Sequence, residues 1–197
     1  MGYKSKVIIF TAPSGSGKGS ILSRVLPLFK NIAFSVSATT RAPRKGEINH
    51  VHYHFITVEQ FQNHIKNNDF LEWEEVYEGT FYGTLKSETY QLLNQGKHVL
   101  FEVDVKGALS IKKYFQNRAL SIFIQPPSLE ELKKRLIERG TETEITLQQR
   151  LKKAETEIMQ AHLFDKVVIN DDLEAACQKV EKILRDFIGE QNEKTPF

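Results

Sequence analysis

The stretch Thr11-Ala12-Pro13-Ser14-Gly15-Ser16-Gly17-Lys18-Gly19-Ser20 follows an apolar run, Lys6 to Phe10, and leads straight into a helical pattern. Glycines let successive backbone N–H groups turn toward an anion, a lysine reaches terminal phosphate oxygens, and a helix N-terminus adds partial positive charge. All three occur here in strand–loop–helix order, so residues Ala12 to Ser20 read as a cradle for the phosphates of a nucleoside triphosphate rather than as a surface turn. Two positions depart from the usual pattern. Ala12 stands where the first glycine sits, and Gly19 where a magnesium-coordinating hydroxyl residue sits, with Ser20 one place later. Mg²⁺ sheds its water reluctantly, so the ion is expected to be held mainly by ATP phosphates and water, near Ser20.

Outward from the loop, hydrophobic periodicity alternates between strand and helix, which predicts an α/β domain with a largely parallel sheet. Lys18 to Phe29 places Ile21, Leu22, Val25, Leu26 and Phe29 on one helical stripe, with Pro27 bending or fraying the last turn. Short apolar runs predict further strands at Ala33 to Ser37, His98 to Val103, Leu120 to Ile124 and Lys166 to Ile169. Thr57 with Gln60 and Ser128 with Glu131 mark helix starts as capping boxes. Leu173 to Ile188 carries a helical stripe that absorbs Cys177 as a small core residue, and the tail Gln191 to Phe197 reads as frayed. Two regions break the rhythm. The segment from the second strand to Tyr90 is rich in aromatics, arginines and histidines and reads as an inserted substrate-holding lobe. Thr141 to Gln149 is polar, flanked by Arg135, Arg139 and Arg150, and reads as a lid loop.

The bulk numbers exclude several classes. A chain of 197 residues with 40% hydrophobic content suffices for one domain with its own core. Lys and Arg number 27 against 25 Asp and Glu, a formal +2, too balanced for a sequence-independent grip on nucleic acid. The one cysteine allows neither an intrachain disulfide nor a cysteine-based zinc site. With no secretory leader pattern and no run of membrane-spanning length, a cytoplasmic protein without nucleic-acid or membrane partners is expected. His50, His52 and His54 alternate, so on a strand they would share one face, as a metal trio or as a wet, partly exposed face.

Ser37-Ala38-Thr39-Thr40-Arg41-Ala42-Pro43-Arg44-Lys45-Gly46-Glu47 sets two guanidinium forks three apart, suited to bidentate capture of a dianionic phosphate. With this segment the sequence resembles the guanylate kinase family, over nearly the whole chain. The resemblance is carried by APSGSGKGS at 12–20, SATTRAPRKGE at 37–47 with Tyr53-His54-Phe55, and FLEWEEVYEGTFYGT at 70–84. Later blocks are FEVDVKGA at 101–108, PPSLEELKKRLIERGTETE at 126–144 and VVINDD at 167–172. His50 stands where the family's signature has glycine.

The resemblance implies a P-loop NTPase core at 1–33, 86–136 and 158–197, a GMP-binding lobe at 34–85 and a lid at 137–157. It also implies transfer of a phosphoryl group from ATP to GMP, and to dGMP, for purine nucleotide metabolism, with Mg²⁺ as cofactor. Carried over by position, it gives Arg41, Arg44, Tyr53 and Tyr82 to the GMP phosphate and Ser37, Glu72 and Thr84 to the base. Asp104 would help place GMP or the water around Mg²⁺, with Glu102 nearby. Lys18, Arg135, Arg139 and Arg150 would clamp ATP phosphates, with Arg41 completing the catalytic set, and Asn170 would lie near the adenine. Two alternatives stand beside this reading: a kinase for another nucleoside monophosphate, and a kinase-like interaction module without catalysis. The chemistry agrees with the first reading. Guanine presents N1–H and N2–H₂ donors on one edge, which a carboxylate at Glu72 accepts, whereas adenine would face it with a lone pair.

Overall fold

The computed structural model describes residues 5–138, 140 and 143–189. Strand β1 (Val7–Thr11) is the buried centre of the molecule. Its alternating side chains supply both layers: Ile8 and Phe10 join one apolar cluster, while Val7 and Ile9 join the other. Each such side chain is fully removed from water, worth about 1.5–3 kcal/mol before entropic costs. A continuous apolar run is what a strand covered on both faces by helices requires.

Helix α1 (Lys18–Val25) follows the loop, buries Ile21, Leu22 and Val25, and gives way at Pro27 to a 3₁₀ turn over Leu26–Leu28. The helix expected to reach Phe29 is thus cut short, because proline cannot donate to the α ladder. β2 (Ile32–Phe34) stops earlier than Ser37: the Ser35 amide still donates to Leu100 O at 2.9 Å, after which the chain leaves this sheet. The segment forms a second sheet from β3 (Ala38–Thr39), β4 (His54–Phe55), β5 (Phe70–Tyr77) and β6 (Thr80–Leu85), ordered β4-β3-β6-β5. Helix α2 (Val58–Lys66) covers it through Phe61, which stacks on Phe70 and Phe81. The capping box at Thr57 and Gln60 forms with both hydrogen bonds.

α3 (Lys86–Asn94) returns the chain to the first sheet, where β7 (His98–Glu102), α4 (Val105–Phe115), β8 (Ala119–Gln125), α5 (Leu129–Glu138), α6 (Glu144–Met159), β9 (Lys166–Ile169) and α7 (Leu173–Ile188) follow. That sheet has the order β2-β7-β1-β8-β9 and is parallel throughout. α1 and α7 pack on one face and α3 and α4 on the other. Cys177 is buried in the α7 seam, and burial pushes its thiol up, so it is the core residue expected. Ser128 Oγ accepts from the Glu131 amide at 3.1 Å, while the Glu131 carboxylate takes Arg135 Nε at 3.2 Å.

The polar stretch expected to be a lid loop is mostly helix. α6 begins at Glu144, capped by Thr143 and Thr146, and carries Arg150 in its interior, because Leu147, Leu151 and Ala154 form a buried stripe against α5. Among the described residues no helix is long and apolar enough to cross a membrane. The C-terminal tail expected to fray lies outside the described residues.

Candidate active site

The glycine-rich loop turns because two glycines take positive φ, +92° at Gly15 and +88° at Gly17. At Gly17 the reason is also steric. A Cβ there would lie 2.1 Å from Asn170 Nδ2, which donates to Ser16 O at 2.7 Å. Asn170, at 4% exposure, therefore sits beneath the loop and its side-chain amide is spent bracing it. The resemblance sets this residue near the adenine; in the structure its side chain supports the loop. Lys18 opens α1, and its Nζ stands 3.4 Å from Glu102 Oε1 at the C-terminal end of β7. Register explains the meeting: Glu102 lies opposite Phe10, the residue just before the end of β1. Strand ends of an open α/β sheet deliver side chains to the ligand crevice in this way. Among the described residues, Ser16 Oγ in the loop and Thr11 Oγ1 at the end of β1 are buried without a hydrogen-bond partner.

Across the crevice, the second sheet presents the other set. Arg41 is caged: Nε donates to Tyr82 Oη at 3.1 Å, and its cation lies 5.3 Å from the centre of the Tyr53 ring and 5.7 Å from that of Phe55. Glu47 takes its fork bidentately, Oε2 from Nη1 at 2.8 Å and Oε1 from Nη2 at 2.9 Å, and also accepts the Arg44 amide. The hydrogen bonds from Arg41 hold the Glu47 carboxyl down at about 2, and those to Glu47 push Arg41 up in return. Sequence reading missed Glu47 as a site residue. The available signal was a carboxylate just after the Gly46 turn, within reach of both arginines. Arg44 itself is exposed beside this pair.

Glu72 and Thr84 face each other in register on β5 and β6, and the fully buried Thr84 donates from Oγ1 to Glu72 Oε1 at 2.6 Å. Burial pushes the Glu72 carboxyl up to about 7; the Thr84 hydrogen bond opposes this and the charges of Asp104 and Glu74 add to it. Asp104 caps α4, its Oδ1 accepting from the Gly107 amide at 2.8 Å, and still lines the crevice.

One cleft of about 980 Å³ joins the two sets. The loop residues Ala12 to Ser20 line one side; Ser37, Tyr53, Glu72, Tyr82 and Asp104 line the other. Arg135 and Arg150 reach it from α5 and α6, Arg135 also donating to Asn170 O at 3.0 Å and Arg150 to Ser14 Oγ at 2.6 Å. Arg139 lies outside the described residues. Lys153 and Glu157, one helical turn apart on α6, also enter the cleft, and burial pushes the Glu157 carboxyl up. No local motif marks them, since only the packing of α6 brings them in.

The three histidines do not share a strand face. His50 takes φ +65° in a turn, which rotates it so that its Nδ1 meets His54 Nδ1 at 2.8 Å, while His52 Nδ1 accepts the Ile48 amide at 2.9 Å. Among the described residues no group of three or more His, Cys, Asp or Glu could hold a metal. A resident metal trio is thereby corrected. The carboxylates that line the cleft, Glu102 and Asp104 among them, are hard oxygen donors, but among the described residues no three of them are grouped closely enough for a protein-built cage. They fit a hydrated Mg²⁺ whose shell is completed by phosphate oxygens.

Comparison with known proteins agrees with this arrangement. The family model described as guanylate kinase matches residues 4–187. A guanylate kinase of Bacteroides fragilis is 51% identical over 186 residues, 94% of this chain and 91% of that one. One of Porphyromonas gingivalis is 50% identical over 94% of this chain and 99% of its own. Among solved structures, guanylate kinase from Anaplasma phagocytophilum superposes with a TM-score of 0.73 at 31% identity, covering 98% of this chain and 90% of that one. A glycine-rich loop braced from beneath, a facing sheet that presents Arg41 and Glu72, and these relatives along almost the full length lead to one conclusion: the chain belongs to the guanylate kinase family.

Proposed function

We propose that the protein transfers the γ-phosphoryl group of ATP to GMP, and to dGMP, giving ADP and GDP. The observation that carries this reading is a cleft with the phosphate loop and Lys18 on one wall and Tyr53, Tyr82 and the buried acid Glu72 on the other, with Arg41 held behind them on the Tyr82 hydroxyl. In it, residues 34–85 act as the GMP-binding lobe and 137–157 as the lid. Loop amides and Lys18 hold the ATP phosphates, and Arg135, Arg139 and Arg150 neutralise charge on the transferred group. Arg41, Arg44, Tyr53 and Tyr82 hold the GMP phosphate. Ser37, Glu72 and Thr84 read the base: Thr84 occupies one face of the Glu72 carboxylate and leaves the other to accept from guanine N1–H and N2–H₂.

The attacking oxygen belongs to a phosphate whose second pKa is near 6, so it is already ionised at neutral pH and no protein base is required. The chain's contribution is alignment of two mutually repelling anions and exclusion of water. Mg²⁺, when bound with ATP near Ser20, Glu102 and Asp104, supplies charge neutralisation at the phosphate oxygens.

ADP release measured with ATP, Mg²⁺ and a panel of GMP, dGMP, AMP, UMP and CMP tests the proposal. Release with GMP and dGMP alone is expected. Release with another monophosphate would make this a kinase of different specificity, and none with any acceptor would make it an interaction module.

A further inference from the structure

The histidines that form no metal site have another connection. Glu88 lies in the first turn of α3, immediately after β6 ends. Its Oε1 accepts the Val36 amide at 3.2 Å, and its Oε2 meets His54 Nε2 at 2.7 Å. Val36 is the middle of Ser35–Ser37, the three-residue crossing from the parallel sheet to the four-stranded one. His54 belongs to β4, the edge strand of the four-stranded sheet, and its amide donates to Ser37 O at 2.9 Å. One carboxylate therefore ties the outgoing crossing and the edge strand to the helix that begins the return.

The chain of contacts continues into the cleft. His54 Nδ1 meets His50 Nδ1 at 2.8 Å, a contact that holds one proton between the facing nitrogens. The His50 amide then donates to Tyr53 O at 2.8 Å, and Tyr53 packs edge-on against Tyr82 with Arg41 over its ring. The Glu88 and His54 side chains are only 22% and 20% exposed, so water competes weakly for the pair.

We propose that Glu88 is a positioning residue for the transfer reaction: by pinning Val36 and His54 it sets where the four-stranded sheet, with Tyr53 and Arg41, presents the acceptor phosphate to the glycine-rich loop. This rests on the reading of that sheet as the GMP site. Loss of the pin is expected to loosen the acceptor side alone, because the Glu88 carboxylate bonds Val36 and His54, both on that side of the cleft.

The test compares wild type, Glu88→Ala, Glu88→Gln and His54→Gln in steady-state kinetics with GMP and ATP varied in turn, and in amide hydrogen exchange without nucleotide. Glu88→Ala is expected to raise the GMP KM about tenfold while the ATP KM changes by less than about twofold. Glu88→Gln keeps an acceptor for the Val36 amide and a donor for His54, and should recover most of the loss. Faster exchange is expected at Val36, Ser37 and Tyr53 but not at Gly15 to Lys18. His54→Gln tests the same pin should the alanine variant fail to fold. An unchanged GMP KM, equal rises in both KM values, or unaltered exchange at Val36 and Tyr53 overturns the proposal. Wild type that does not phosphorylate GMP overturns the functional reading instead, and the exchange data then decide the pin by themselves.

Discussion

If Glu72 reads guanine as proposed, GMP binding depends on pH in a calculable way. In the empty site burial raises its carboxyl to about 7 from an ordinary value of 4.5. At pH 6 about a tenth of molecules carry it ionised and at pH 8 about nine tenths, so the form able to accept from guanine N1–H and N2–H₂ changes about tenfold. Bound guanine donates to the ionised form and draws the carboxyl back down, so binding below pH 7 releases a proton. The phosphate of GMP, with its second pKa near 6, adds a proton of its own. Replacing Glu72 by Gln removes the first contribution and keeps the second. The expected result is a GMP affinity that improves about tenfold from pH 6 to pH 8 beyond whatever the Gln variant shows, measured by titration calorimetry in buffers of different ionisation enthalpy. The stability consequence has the opposite sign. A carboxyl raised on folding contributes stability fully present below about 4.5 and lost as pH rises through about 7. At pH 8 the nucleotide-free Gln variant is thus expected to be more stable than wild type, by an upper bound of about 3 kcal/mol, and near parity at pH 4.5. Identical pH dependence of GMP affinity in both proteins, or a Gln variant less stable at pH 8, would refute the reasoning.

Replacing Lys18 by Ala should leave the melting temperature near that of wild type and lower kcat by at least about 100-fold, since it removes a charge aimed at the transferred phosphoryl group; near-normal turnover would contradict its assigned role. Gly17→Ala would set a Cβ 2.1 Å from Asn170 Nδ2 on a residue at φ +88°, so a rise of about tenfold or more in ATP KM with little change for GMP is expected from kinetics with each substrate varied. Glu47→Ala frees the Arg41 fork from its bidentate partner, and the GMP KM should rise while the ATP KM holds; a fall in GMP KM would mean that Glu47 competes with the phosphate instead of orienting its ligand. Removing Mg²⁺ with a chelator should abolish turnover without shifting the melting temperature of the nucleotide-free protein, because no metal-binding trio exists among the described residues.

What the sequence by itself determined were features that depend on local geometry. The glycine–lysine loop is legible because positive φ, inward amides and a following helix are all properties of ten consecutive residues. The parallel core is legible because a strand buried on both faces must be apolar at every position, as Val7 to Phe10 is. Pro27, the Thr57 capping box and the α7 stripe were readable for the same reason. The two arginine forks at Arg41 and Arg44 suggested an anion from their spacing alone, but which anion, and the choice of Glu72 among Glu74, Glu75 and Glu78, came only through family resemblance, since a glutamate in an acidic strand has no local mark of function.

Tertiary structure alone decided the rest. That Asn170, some 150 residues from Ser16 in sequence, braces the loop depends on β9 lying beside β8. The region expected as a lid loop became helix because α5 offered its apolar stripe a partner. His50 left the expected strand face because its backbone turned left-handed, and Glu88 met His54 because two crossings between sheets run side by side. The raised carboxyl of Glu72 arises from walls assembled by β5, β6 and α4 together. Local order is written in neighbours along the chain. Burial and charge environment are sums over neighbours in space, and only the packed molecule fixes those.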